Sequence, residues 1–342
     1  MINVKRERYK NQILFDKIGE DGQDVLLNSK ICIIGTGALG STIANSLCRS
    51  GIGNLLMVDR GIADRSNLQR SPVLTEEDAE NLEEKVLSLK KYFDKYNSKI
   101  NIEAIFDDVD STNIEKYISD VDIVIDATDN YETHFLINEA CHKNNQNWIF
   151  GEVSGSFGRA MNFIQGQSPC FHCLVKEAPA PGTVNICNFT GATTAVTQII
   201  AAFISNEAIK ILLKADDEIA KDCFVVDIWQ NLFTFEKAEH NANCPVCSQK
   251  RYKYLNTPAN ISTKSMCGHN STQFVPKVDG NIDLQEIAKK LEKIGNVELT
   301  SFCLTFKNLY THFKLFPDGK ATIIRTIDKG KAKRIYSEYI GL

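Results

Sequence analysis

The chain has 342 residues, 43% of them apolar and 24% charged. That is more than one hydrophobic core usually serves, so two domains are expected and collagen-like, low-complexity and wholly disordered classes are excluded. Lys and Arg number 39 against 43 Asp and Glu, a net charge of −4, which leaves no whole-chain basic field for gripping nucleic acid.

The balance is uneven along the chain. Residues 1–254 carry 26 basic and 35 acidic side chains, net −9, whereas 255–342 carry 13 and 8, net +5. The opening MINVKRERYKNQ is polar and no run reaches the roughly 18 consecutive apolar residues of a membrane span. A cytoplasmic protein with no membrane partner is the expectation. Eleven cysteines without a secretion signal point to free thiols, metal ligation or catalysis over a disulfide scaffold.

In chain order, Lys30–Gly40 (KICIIGTGALG) reads as a short β-branched strand ending in a glycine-rich turn, with STIANSLCRSGI continuing at helical period. Asn54–Asp59 (NLLMVD) completes a βαβ unit, which implies a parallel sheet and a right-handed crossover. Glu76–Tyr96 has Leu82, Val86, Leu89 and Phe93 on one helical face, and Ile100–Ile105 alternates as a strand. Val121–Asp126 is a buried-strand pattern, Thr133–His142 a helix and Trp148–Val153 another strand. This alternation predicts a doubly wound α/β domain of Rossmann type, with ligands at the C-terminal ends of its strands.

From about Gly166 the texture becomes that of an irregular loop. Thr193–Leu213 then reads as a long apolar helix, Cys223–Trp229 and Phe233–Phe235 as short strands, and Asn243–Cys247 as a cysteine turn. A polar bridge, Asn256–Ser265, leads to a small α+β unit. That unit reads as a helix at Leu284–Ile294 and strands near Thr300–Thr305, Thr311–Phe316 and Ala321–Thr326, the last two joined by a Pro317-Asp318-Gly319 turn. The domains expected are 1–255 and 256–342.

Several groups could carry chemistry. Gly35, Gly37, Ala38 and Gly40 form a turn whose backbone N–H groups can approach phosphate at a helix N-terminus, and Asp59 ends the next strand where a carboxylate can accept from ribose hydroxyls. A dehydrogenase would share that turn. The residues beyond Asp59 shift the reading, because Asn67, Arg70 and Lys85 supply the amide and cations that a triphosphate requires; a solvated helix lysine is the plain alternative for Lys85. Asp129, in Asp126-Ala127-Thr128-Asp129-Asn130, sits at a strand end where it could hold Mg²⁺, or could merely cap the next helix. Cys170, Cys173, Cys244 and Cys247 make two C-x₂-C pairs, the spacing of a tetrahedral structural zinc site, with redox pairs as the alternative and His172 a bystander. Cys187 lies in the irregular loop as a candidate nucleophile if its thiol is activated, while Cys32, Cys48, Cys141 and Cys223 sit in apolar sequence as inert core thiols.

Taken in this order, GTGALGS, VDR, SNLQR, Lys85, DATDN and the paired C-x₂-C elements resemble the ThiF/MoeB/HesA adenylyltransferases, bacterial relatives of ubiquitin-activating enzymes, over roughly Arg8 to Leu255. The tail from Lys264 looks like an extension found in Gram-positive members. The resemblance implies that ATP·Mg²⁺ adenylates the C-terminal glycine of a small ubiquitin-like sulfur carrier of ThiS or MoaD type, releasing pyrophosphate for thiazole or molybdopterin synthesis. It implies a homodimer. By position, Gly37 and Gly40 would face the phosphates, Asp59 the ribose, Asn67, Arg70 and Lys85 the triphosphate, and Asp129 the Mg²⁺; Cys187 falls where some relatives form a covalent sulfur link. The chain departs from the family pattern at Asn11, where an arginine is usual, at Gly61 in place of an acidic residue, and at Ser71 in place of glutamine. Adenylation of a ribosomal peptide and a catalytically weak carrier-binding scaffold are the competing functions.

Overall fold

The computed structural model describes residues 7–177, 191–257, 264–266, 271–274, 282–300, 303–324, 326 and 328–341. The chain divides into two compact units, Met1–Pro258 and Ala259–Leu342.

The first unit is built on an eight-stranded sheet. Its strands are β1 (Lys30–Ile34), β2 (Asn54–Asp59), β3 (Asn101–Phe106), β4 (Ile123–Asp126), β5 (Trp148–Ser154), β6 (Phe157–Phe163), β7 (Cys223–Asp227) and β8 (Leu232–Glu236). The order is β3-β2-β1-β4-β5-β6-β7-β8. The five strands from β3 to β5 run parallel, and β6, β7 and β8 add antiparallel neighbours. Because successive side chains point to opposite faces, β1 feeds both cores. Ile31 and Ile33 pack beneath the helices Ala38–Ser50, Lys85–Tyr96 and Thr194–Leu212, while Cys32 and Ile34 pack beneath Ile114–Ile118 and Tyr131–Lys143. Both faces are covered, which is why the parallel strands are near-continuously apolar.

Thr194–Leu212 is, among the described residues, the one helix long and apolar enough to cross a membrane. Its buried side, Val196, Ile200, Ala201, Ile204 and Ala208, packs in the core against β5, β6 and the helix Ala38–Ser50. The four cysteines read as inert are buried. Burial pushes the Cys32 thiol up to about 12 and those of Cys48 and Cys223 up to about 11.

The single helix expected over Glu76–Tyr96 is two. Thr75 caps Glu76–Glu80 through a capping box, Leu82 turns left-handed at φ 53°, and a new helix starts at Lys85. Tertiary pairing overrides the helical period here. Ala63 N–H donates to Glu83 O at 2.7 Å and Lys85 N–H to Gly61 O at 3.0 Å, so residues 83–85 run against 61–63. The break sets Lys85 beside the end of β2. Strand β6 is an addition to the expected elements; Gly155, at φ +63°, turns the chain back so that Phe157–Phe163 pairs with β5.

The second unit is an antiparallel sheet ordered β11-β12-β13-β14-β10-β9, from β9 (Lys264–Met266), β10 (Ser271–Phe274), β11 (Asn296–Leu299), β12 (Leu304–Lys307), β13 (His312–Leu315) and β14 (Ala321–Ile324). Helices Leu284–Leu291 and Lys329–Tyr339 cover a core that includes Phe306, Phe313, Ile323 and Tyr336. The Pro317-Asp318-Gly319 turn closes the β13–β14 hairpin, with Gly319 at φ +80° and Phe316 N–H donating to Lys320 O at 2.8 Å.

Candidate functional site

The glycine turn comes directly after β1 and opens the helix Ala38–Ser50. Gly35 takes φ +87°, and a Cβ on it would lie 2.7 Å from Ala127 O; a Cβ on Gly40 would lie 1.8 Å from Gly35 O. Neither position tolerates a side chain, which holds the turn flat against the loop after β4. Gly37 is the N-cap, offers no side-chain cap and has open space where a Cβ would stand. The first N–H groups of this 13-residue helix are therefore available for an anion.

Asp59, at the end of the neighbouring strand β2, braces the turn. Its Oδ2 accepts from Thr36 N–H at 2.5 Å and from the Thr36 hydroxyl at 3.0 Å, and its Oδ1 accepts from Gly61 N–H. A Cβ at Gly61 would stand 2.7 Å from Asp59 Oδ1 and 3.2 Å from Lys85 Nζ. A side chain at this position would meet the free ends of Asp59 and Lys85; nothing in the structure explains why glycine stands where an acidic residue is usual. Lys85 is buried, and burial lowers its pKa against the opposing pull of Asp59 and Asp129. A desolvated ammonium among carboxylates is poised to gain a stronger partner, and a polyphosphate is one.

Asn67 is buried in a short 3₁₀ turn, where its Oδ1 accepts from Asp64 N–H at 3.1 Å while Asp64 accepts from Ser66 N–H at 2.8 Å. Its carbonyl thus serves the loop, and its amide NH₂ is the donor chemistry offers to a phosphate oxygen. Arg70 is half-buried, with Nη1 donating to Ser66 O at 2.8 Å. Ser71 is buried, its hydroxyl 3.4 Å from that of Ser41. Asp129 is exposed, and the helix cap that is the alternative role for it belongs to Asn130, whose Oδ1 accepts from Thr133 N–H at 2.9 Å. Asn11 is exposed on the N-terminal segment. Cys187 lies outside the described residues.

Arg60 escapes a reading of the sequence alone. It pairs with Asp108 at 2.9 Å; burial works against its charge, but Asp108, Asp129 and Asp59 outweigh that and raise its pKa. The signal for it lies in VDR, a cation adjoining the Asp59 carboxylate.

The four knuckle cysteines converge although the two pairs are some seventy residues apart in sequence. Their sulfurs all lie within 4.8 Å of one another, with Cys170–Cys244 at 3.4 Å, Cys173–Cys247 at 3.5 Å and Cys170–Cys173 at 4.0 Å. Tetrahedral zinc with Zn–S of about 2.3 Å sets sulfurs about 3.8 Å apart, so the cluster could hold Zn²⁺. Burial and the neighbouring thiols Cys244 and Cys173 hold the Cys247 thiol up at about 12, so metal uptake would release protons. His172 stays out of the cluster and packs on Phe135 at 4.4 Å, its Nε2 3.5 Å from Glu139 Oε1.

The ThiF family model matches residues 9–246 of this chain, a span that includes the glycine turn, Asp59 and the neighbouring cations. The chain belongs to the ThiF family. This ThiF-family chain is 32% identical over 338 residues to the sulfur carrier protein ThiS adenylyltransferase of Bacillus subtilis (strain 168), covering 98% of this chain and 99% of that protein. It is 30% identical over 243 residues to the SAMP-activating enzyme E1 of Haloferax volcanii, covering 71% and 89%. Among solved structures, E. coli MccB with MccA-N7isoASN superposes at a TM-score of 0.63 with 21% identity, covering 72% of this chain and 76% of that one, a likeness of fold. The ThiF-family chain is an adenylating enzyme and uses ATP.

Proposed function

We propose that this enzyme adenylates the C-terminal carboxylate of a small sulfur-carrier protein ending in Gly-Gly. The observation that carries the reading is the buried Lys85 set between Asp59 and the Asp129 loop, beside a glycine turn that exposes a helix N-terminus. A nucleotide bound there would place its ribose on Asp59, its phosphates on the N–H groups at 37–40, and its negative charge near Lys85, Arg70 and the Asn67 amide. Sequence similarity to the Bacillus ThiS adenylyltransferase over nearly the whole of both chains supports a carrier as the second substrate.

The reaction balances without a general base. The carrier's carboxylate oxygen, already ionised at neutral pH, bonds to the α-phosphorus as the bond from that phosphorus to the pyrophosphate oxygen breaks. Products are the acyl-adenylate and pyrophosphate. Lys85 and Arg70 neutralise charge that builds on the leaving pyrophosphate, and the glycine turn fixes the phosphate chain for in-line attack. Asp129, exposed in the loop just after β4, would hold Mg²⁺, which would supply charge neutralisation at the phosphates. The zinc clasp is distant in role from this chemistry and holds the fold.

An apolar surface also favours a protein substrate. Trp229, Leu232, Phe233 and Phe235 are exposed around the edge strand β8, and such edges and patches are typical of protein docking. The test is to incubate the enzyme with ATP and a carrier and weigh the carrier intact. The reading expects an AMP adduct on the carrier that hydroxylamine removes. An adduct that forms only on a short ribosomal peptide would replace it with the peptide reading.

A further inference from the structure

Asp126, the last residue of β4, is wholly buried, as is His134 on the first turn of the helix Tyr131–Lys143. Buried carboxylates need partners, and this one is fully engaged. Its Oδ1 accepts from Thr128 N–H at 3.0 Å and from the Thr128 hydroxyl at 2.8 Å, and its Oδ2 lies 2.8 Å from His134 Nδ1. The Thr128 hydroxyl is 3.2 Å from the same ring nitrogen. The imidazole is walled by the edges of Phe150 and Tyr131, centroids 5.0 and 5.8 Å away, and by Phe171 of the first cysteine knuckle at 5.7 Å. Charged groups around it are Asp126, Asp129 and Glu152, the last paired with Arg159 at 2.8 Å. Burial works against a charged imidazole, but these carboxylates prevail and raise its pKa.

The pair therefore ties the end of β4 to the start of the next helix, across the joint that carries Asp129. Asn130 fastens the far side by capping that helix through Thr133 N–H at 2.9 Å and the Thr133 hydroxyl at 2.8 Å. Asp129 stands exposed between anchors on both sides. Buried ion pairs contribute little net stability compared with apolar packing, and a role in fixing geometry is the better account of one placed here.

We propose that Asp126 and His134 are positioning residues for Asp129, presetting its exposed carboxylate toward the divalent cation of a bound nucleotide. The inference rests on the nucleotide-site reading above. With a neutral glutamine in place of His134 the Asp126 carboxylate is buried without a countercharge, and relief comes by turning toward water and releasing Thr128, which lets Asp129 wander.

The test measures Mn²⁺ binding by electron paramagnetic resonance in the complex of the full chain with a non-hydrolysable ATP analogue, beside metal-free binding of the analogue. His134→Gln should weaken Mn²⁺ binding about tenfold and leave metal-free analogue binding within twofold. Thr128→Val, a milder change at a half-buried position, should weaken it severalfold and keeps the test open if His134→Gln does not fold. The double variant Asp126→Asn/His134→Gln restores a neutral hydrogen-bonded pair and should bring Mn²⁺ binding back to within threefold. If the variants that fold bind Mn²⁺ like the wild type, the positioning role is wrong while the site reading survives. A wild type that binds no analogue at all overturns both.

Discussion

Cys244→Ser should empty the zinc clasp and free one segment of the first unit while the sheet stays folded. Ordering the 16 residues from His240 to Leu255 costs about 16–32 kcal/mol at ~1–2 kcal/mol each. Against this, Val246 and Leu255 are buried, contributing about 3–6 kcal/mol together. Lys253 and Leu255 N–H groups donate to the buried Glu139 carboxylate at 3.1 and 2.9 Å, about 3–6 kcal/mol for two charge-assisted bonds. Tyr254 stacked on Phe135 at 5.0 Å and Tyr252 beside His142 at 6.0 Å add roughly 1–3 kcal/mol. Backbone hydrogen bonds within the segment, such as Lys250 N–H to Val246 O and Arg251 N–H to Pro245 O, add about 5 kcal/mol; the midpoints then leave a shortfall of about 8 kcal/mol, which the ~10–16 kcal/mol that zinc gives small Cys-ligand peptides would cover. The assay pairs zinc content by mass spectrometry with hydrogen exchange and trypsin cleavage at Lys250, Arg251 and Lys253. The variant should lose its zinc, exchange freely over 240–255 and be cut there, while β1, β4 and β5 keep their protection. Wild-type protein purified without chelator and lacking zinc, yet protected over 240–255, would refute the reasoning.

The same geometry sets further outcomes. Lys85→Met should lower carrier-dependent ATP–pyrophosphate exchange about 10²–10³-fold, the usual loss when one charge stabiliser of a transition state is removed, with carrier affinity held within threefold by calorimetry. Gly61→Ala, whose Cβ would meet Asp59 Oδ1 at 2.7 Å, should raise the KM for ATP about tenfold with little change in melting temperature. For His134, with a folded-state pKa raised above 6.5, the stabilisation is complete below pH 6.5 and is lost as pH rises through the folded value. Wild-type stability measured by urea melts should therefore fall over that range relative to His134→Gln, whose own profile lacks this component. Phe233→Glu with Phe235→Glu on β8 should raise the KM for carrier at least tenfold and leave the KM for ATP unchanged.

Much of the fold is legible in the sequence because its signals are local. The β-branched runs at Lys30–Ile34 and Ile123–Asp126 and the glycine turn report their own geometry, and the two C-x₂-C pairs announce a clasp whatever lies between them. The features that escape such reading are set by distant partners. The helix expected over Glu76–Tyr96 breaks because residues 83–85 pair with 61–63, an interaction that no helical period records. Strand β6 contains Gly158, Arg159 and Asn162, which blur its apolar pattern; it pairs because Gly155 turns the chain back onto β5. The site is legible in outline, but the sequence leaves Asp129 open as a helix cap when Asn130 does that work. Arg60, Asp126 and His134 gain meaning only once their partners Asp108 and Thr128 are in place.

The decisive measurement is carrier-dependent exchange of radiolabelled pyrophosphate into ATP, run with ThiS-type and MoaD-type carriers side by side. Exchange is expected with one of them, none when the carrier's terminal glycine is removed, and collapse in Asp129→Ala. Exchange that proceeds without any carrier, or none with either carrier while the enzyme binds ATP, would contradict carrier adenylation at this site.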